Sequence, residues 1–175
     1  MSAAFTAASA GRTDVLELAA PEGEVLRHRG WMSTHAETSH QILLRNLGGK
    51  PLRLSAALLA EGSNRQQGGT HWHEIALYRT DEGQIAVALR LRVALPADLG
   101  VHRARLFANI DTACDWLEQF DGSADLDAGF DVADRSLSTA SLAVKAASLR
   151  ERAERLDRAY RGLVGEILFR LEADA

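Results

Sequence analysis

Two runs of alternating residues flank Thr80-Asp81-Glu82-Gly83-Gln84, and this stretch constrains the chain more than any other. A three-residue loop ending in glycine suits a type I turn followed by a left-handed residue. With Asp81 to Gly83 as the loop, Thr80 faces Gln84, Tyr78 faces Ala86, Ala76 faces Ala88, Glu74 faces Arg90 and Trp72 faces Arg92. Side chains alternate between the faces of a strand. One face then carries Ile75, Leu77, Ile85, Val87, Leu89, Leu91 and Val93, and so much aliphatic surface must be buried. The other carries Trp72, Glu74, Ala76, Tyr78, Ala86, Ala88, Arg90 and Arg92.

A third strand is predicted over about Val101 to Asn109, after a Pro96–Gly100 connection. His102, Ala104, Leu106 and Ala108 fall on one side of it, and Arg103, Arg105 and Phe107 on the other. A short helix follows, with Asp111 as its expected N-cap. Its residues Ala113, Trp116, Leu117 and Phe120 recur at i, i+3, i+4 and i+7, one apolar stripe that fits the aliphatic face of the sheet. The opposite face would then gather Trp72, Tyr78 and Phe107 among Arg90, Arg92, Arg103 and Arg105. Such a surface can anchor a protein partner or stack on bases. It can equally be covered by another part of the chain, with arginine stems laid across the aromatics.

Upstream, QILLRNL and PLRLSAALLAEGS flank Gly48-Gly49-Lys50, a second predicted hairpin with Pro51 at a strand start. Before it, DVLELAA and EVLRHRG flank Pro21-Glu22-Gly23 and could pair or form helix, and residues 1–13 read as a leader. The expected organisation is leader 1–13, sheet domain 14–122, acidic linker 123–136 and a long C-terminal helix 137–175. The fold class is α+β: an antiparallel meander sheet with a short helix packed on one face and a long C-terminal helix.

In that last helix, which Ser136 or Ser138 can cap, Leu142, Leu149, Leu156 and Leu163 recur every seven residues. Ala146, Ala153, Tyr160 and Ile167 fill the second apolar position of each heptad, the pattern of a coiled-coil seam. At 1.5 Å per residue the helix extends roughly 50 Å, longer than a small sheet can cover. The leucines could therefore hold two copies together, or the helix could bend back over the sheet. Gly162 and Gly165 would permit close approach or a break.

Chemistry is sparsely signalled. His71-Trp72-His73 puts two imidazoles on one strand face, and His102 is a third metal-ligand candidate on the same side. The histidine motifs of cupins are not met, because Glu74 follows His73 directly and points to the opposite face. The aspartates Asp121, Asp125, Asp127, Asp131 and Asp134 lack the spacing of a calcium loop. Cys114 is the single cysteine, which excludes an internal disulfide. No phosphate-binding glycine loop or recognisable nucleophile setting is present.

Composition sets the remaining bounds. With 46% hydrophobic and 25% charged residues, the 175-residue chain can bury a full core. A net charge of −4 gives no global attraction to nucleic acid. Nearly all the positive charge is arginine, with lysine only at Lys50 and Lys145. The N-terminus lacks the pattern of a signal peptide, so the cytoplasm is the expected location, with no membrane contact. The expectation is a non-enzymatic interaction module without a cofactor, binding a protein through its Arg/aromatic face and associating through its C-terminal helix. A nucleic-acid binder using the same face is the second reading. A metal-dependent enzyme using His71, His73 and His102 is the third.

Overall fold

A computed structural model describes residues 39–66, 68–94 and 100–173. The expected leader and the segments around Pro21 lie outside these residues, as does most of the Pro96 connection. Five antiparallel strands follow one another in sheet order: β1 (His40–Leu44), β2 (Leu52–Ser63), β3 (His71–Thr80), β4 (Ile85–Val93) and β5 (Val101–Phe107). Two helices follow them, α1 (Ile110–Gln119) and α2 (Thr139–Ala173). The arrangement is α+β, as the alternation and the heptads predict.

The β3–β4 register is the expected one, from Tyr78 opposite Ala86 to Trp72 opposite Arg92. The turn closes with Thr80 N–H donating to the Gln84 carbonyl at 2.9 Å, and Gly83 sits at φ +80°, where a side chain would be strained. The cap of α1 is Asn109, not Asp111: its Oδ1 accepts from Thr112 N–H at 2.9 Å, and Asp111 lies inside the first turn. An amide oxygen serves this role as well as a carboxylate does.

Both helices cover the aliphatic face. Ala113 and Leu117 of α1 join Leu163, Val164, Ile167 and Tyr160 of α2 over Ile75, Leu77, Val87 and Leu89. Full burial of each large side chain contributes roughly 1.5–3 kcal/mol, so this layer dominates the stability of the described fold. Glycine admits α2 at two places, neither on α2 itself. A Cβ on Gly62 of β2 would stand 2.8 Å from Leu163 Cδ1, and one on Gly122 would stand 2.5 Å from Tyr160 Cβ. Gly162 and Gly165 have open space where a Cβ would go and α2 runs through them unbroken, so neither the close approach nor the break that they permit is used.

Only the C-terminal half of α2 lies on the sheet. Its buried residues begin at Leu156, and the turns from Thr139 to Ser148 are largely exposed. Ser138 caps it, with Oγ accepting from Ser141 N–H at 3.1 Å. The connecting segment returns along the N-terminal half of α2: the Ala128 carbonyl accepts from Arg152 Nη2 at 3.2 Å, and Lys145 Nζ lies 5.9 Å from the Phe130 ring. Asp121, Asp127, Asp131 and Asp134 each accept from the backbone N–H two residues on. Such Asx turns keep the segment ordered without a core of its own.

The other face of the sheet is not a bare surface. Ala76, Ala88 and Ala104 stand side by side across β3, β4 and β5, with Ala86 in the next row. Small side chains let the β1–β2 ribbon curl over them. Leu44, 3% exposed, packs on Ala86, Ala88 and Ala104, and Ile42, Leu52, Leu54 and Tyr78 flank this second cluster. The curl brings the β1–β2 turn onto β5, where Leu47 N–H donates to the His102 carbonyl at 2.7 Å. Asn46 Oδ1 accepts from Ala104 N–H at 3.3 Å beside it.

Candidate functional site

Successive cross-strand rows on the curled face change character along the strands. Leu58, Tyr78, Ala86 and Leu106 form an apolar row near the β3–β4 turn, and Glu61 with the three alanines forms the next. The third row is Ser63, Glu74, Arg90 and His102, and Trp72 beside Arg92 makes the last. The alternation that builds the sheet thus collects charge at one end of one face.

Glu74 is the centre of this polar end. Its Oε2 accepts from Arg92 Nε at 2.9 Å, with Arg90 Nη1 at 4.0 Å, and its Oε1 accepts from the Trp72 indole N–H at 3.2 Å. Trp72 itself is buried, and the Arg65 guanidinium lies 4.7 Å from its ring centroid. It is therefore a packed, hydrogen-bonded ring rather than an open stacking platform. Burial holds the His102 imidazole below its ordinary pKa, and the guanidiniums of Arg90, Arg92 and Arg45 push it further down. Three guanidiniums thus surround His102 against the one carboxylate of Glu74. The excess positive charge sits on half-exposed Arg90 and Arg92 and on exposed Arg45.

The seven residues expected to share the binding face divide between two. Trp72, Tyr78, Arg90 and Arg92 stay together on the curled face. Arg103, Arg105 and Phe107 pair with Leu89, Val87 and Ile85, which puts them on the helix-covered face. Alternation separates the two sides of β5 correctly but leaves its phase against β4 open. That phase follows from the length of the connection, which no alternation encodes. The Arg103 guanidinium grips Asp125 with two hydrogen bonds, Nε to Oδ2 at 2.6 Å and Nη2 to Oδ1. The linker is thus anchored to the sheet rather than wholly solvated. Phe107 begins a run of ring contacts through Trp116 and Phe120 to Tyr160, each 5.5–5.6 Å between centroids, and Tyr160 meets His73 at 5.0 Å.

The same phase separates the histidines. His102 lies on the curled face and His71 and His73 on the helix face, so the three do not converge, and no group able to hold a metal ion is found among the described residues. His73 is 1% exposed, and burial lowers its pKa to about 4, against weaker opposing effects of Asp125, the Gly122 backbone and Asp157. Burial together with Arg152 also lowers His71. Cys114 is held above the usual thiol range by burial and by the carboxylates of Asp111, Glu118 and Asp115, the opposite of nucleophile activation.

Of the four heptad leucines, Leu156 and Leu163 are 6% and 3% exposed within the chain's own core. Leu142 and Leu149 are half-buried on the projecting half of α2, along which the linker returns. A self-associating seam over all four is not available in this fold, because Leu156 and Leu163 are already buried within the chain, Leu163 against the sheet. Sequence reasoning does not single out Arg45, Arg65 or Glu74 as site residues. Glu74 is legible as the cross-strand neighbour of Arg90. Arg45 sits at the start of the β1–β2 turn, whose position depends on the curl, and Arg65 in the β2–β3 loop.

No helix of the described residues is long and apolar enough to cross a membrane. No protein-family model matches the chain, nor does any curated protein or solved structure.

Proposed function

We propose that the chain is a non-enzymatic binding module that recognises an acidic segment of a protein partner through the polar end of its curled sheet face. The observation that carries this reading is the arrangement around Glu74. One carboxylate is shared by Arg90, Arg92 and the Trp72 indole, with Arg45 close enough to His102 to depress its protonation. Arg92 commits Nε to Glu74 and keeps its outer nitrogens for a second carboxylate, the fork geometry that guanidinium uses for such groups.

A nucleic-acid backbone could use the same guanidiniums. Two features favour protein carboxylates. Trp72 is covered by Arg65, so it offers no face on which a base can stack. The positive charge forms one compact cluster on a chain of net charge −4, not a stripe that could follow successive phosphates.

Titration with a polyglutamate peptide, and separately with a single-stranded DNA oligonucleotide, tests this reading. The Trp72 indole N–H resonance should move with the peptide at low salt, and the shift should vanish in Arg90→Ala/Arg92→Ala and shrink as salt is raised. A response to DNA alone would replace the protein partner by nucleic acid. Silence with both ligands would remove this site.

A further inference from the structure

The residues that left the expected face assemble a second surface at the outer edge of β5. Backbone groups of alternate residues in an edge strand point away from the sheet. The bonds from Leu47 N–H to the His102 carbonyl and from Ala104 N–H to Asn46 Oδ1 identify His102, Ala104 and, two residues on, Leu106 as the outward set. The β1–β2 turn satisfies the first two of these groups. The Ala104 carbonyl and both backbone groups of Leu106 have no hydrogen-bond partner among the described residues. Leu106 is 39% exposed, and Arg105 is exposed beside it.

A hollow of about 330 Å³ adjoins this free edge, lined by Asn46, Arg103, Ala104, Arg105, Trp116 and Phe120. Its two guanidiniums differ. Arg103 is taken by Asp125, which demonstrates how a carboxylate is held on this wall. Arg105 rests over the Phe107 ring at 5.3 Å and has no carboxylate among the described residues. An edge unpaired among the described residues and an aromatic-lined hollow beside it are the two elements that strand addition uses, and the Arg105 guanidinium adds a preference for a carboxylate. The backbone ladder supplies affinity, and the side-chain pockets supply selectivity.

We infer that the Ala104–Leu106 edge of β5 is a docking site for an extended segment of a protein partner, which adds as a short strand with a carboxylate on Arg105 and an apolar side chain in the Trp116/Phe120 hollow. This site is on the opposite side of β5 from the Glu74 cluster and does not depend on it.

A short synthetic peptide alternating threonine and valine around a central glutamate is the probe, with the central lysine version as its control. The glutamate peptide should move the amide resonances of Ala104 to Leu106 and slow hydrogen exchange at Leu106. Leu106→Pro removes an outward N–H that β4 does not use, and should weaken binding at least tenfold. Arg105→Glu, at an exposed position, should reverse the preference in favour of the lysine peptide. Equal response to both peptides, or binding unchanged in Leu106→Pro, would overturn the inference. So would shifts confined to the Trp72 indole, which would leave the Glu74 site standing by itself.

Discussion

Gly122 and Tyr160 are in backbone-close contact: a Cβ added to Gly122 would stand 2.5 Å from Tyr160 Cβ and 2.8 Å from its Cγ. The approach is fastened on both sides. Asp157 Oδ1 accepts from Gly122 N–H at 3.2 Å, and the Tyr160 hydroxyl donates to the Leu117 carbonyl at 2.7 Å. This is where α1, α2 and the start of the linker are locked together. Gly122→Ala must displace backbone rather than a flexible side-chain end. It is expected to lower stability by about 1–3 kcal/mol in urea denaturation, with loss of hydrogen-exchange protection in the C-terminal half of α2.

His73 should make stability depend on pH. Its folded-state pKa of about 4 lies below the ordinary 6.5, so the unfolded chain takes up the proton first. Stability is then full above 6.5, falls as pH drops towards 4, and levels off below that. The loss from this one group amounts to about 3 kcal/mol at most, at 1.36 kcal/mol per pKa unit. His71 and His102 are depressed too and add in the same direction. Asp125 and Asp157 face the His73 ring and oppose the effect. His73→Gln should flatten the slope between pH 4 and 6.5, measured as the urea midpoint at each pH.

The alanine floor is expected to tolerate no enlargement. Ala88→Leu would insert a branched side chain beneath Leu44, between Ala76 and Ala104. An overpacking cost of about 1–3 kcal/mol is expected. Because the β1–β2 ribbon must lift to make room, the Leu47 N–H bonded to His102 should exchange faster than in the wild type. An unchanged exchange rate would mean that the ribbon is not held by the alanines.

The two halves of the heptad seam should respond differently. Leu156→Ala opens a hole in a full core and should cost about 2–5 kcal/mol. Leu142→Ala, half-buried on the projecting part of α2, should cost under about 1 kcal/mol. Thermal denaturation at several protein concentrations distinguishes this from a two-chain seam. In that case both substitutions would cost alike and the midpoint would rise with concentration.

Much of the fold is legible in residue order because its strongest signals are local. The Gly83 turn sets the β3–β4 register, and the period-two pattern from His71 to Val93 then separates the two faces without further information. The α1 stripe and the capped start of α2 are local in the same sense. The candidate site is less legible. Glu74, Arg90, Trp72 and Arg92 come together within one hairpin, so the sequence brings them together. Arg103, Arg105 and Phe107 depend on a register between strands joined by a longer connection, and a slip of one residue moves all three to the other side.

What residue order determined by itself is therefore the hairpin, its buried face and the amphipathic helices, since each rests on contacts a few residues apart. Tertiary structure decided the rest: that alanines form a floor for the curling β1–β2 ribbon, that β5 turns its arginines towards the helices, and that α2 lays Leu163 and Ile167 on its own sheet. These outcomes depend on which apolar surfaces meet, and a heptad or a row of alanines is compatible with several partners. The choice among them is made by the free energy of burying the whole set together, which no single stretch of the chain contains.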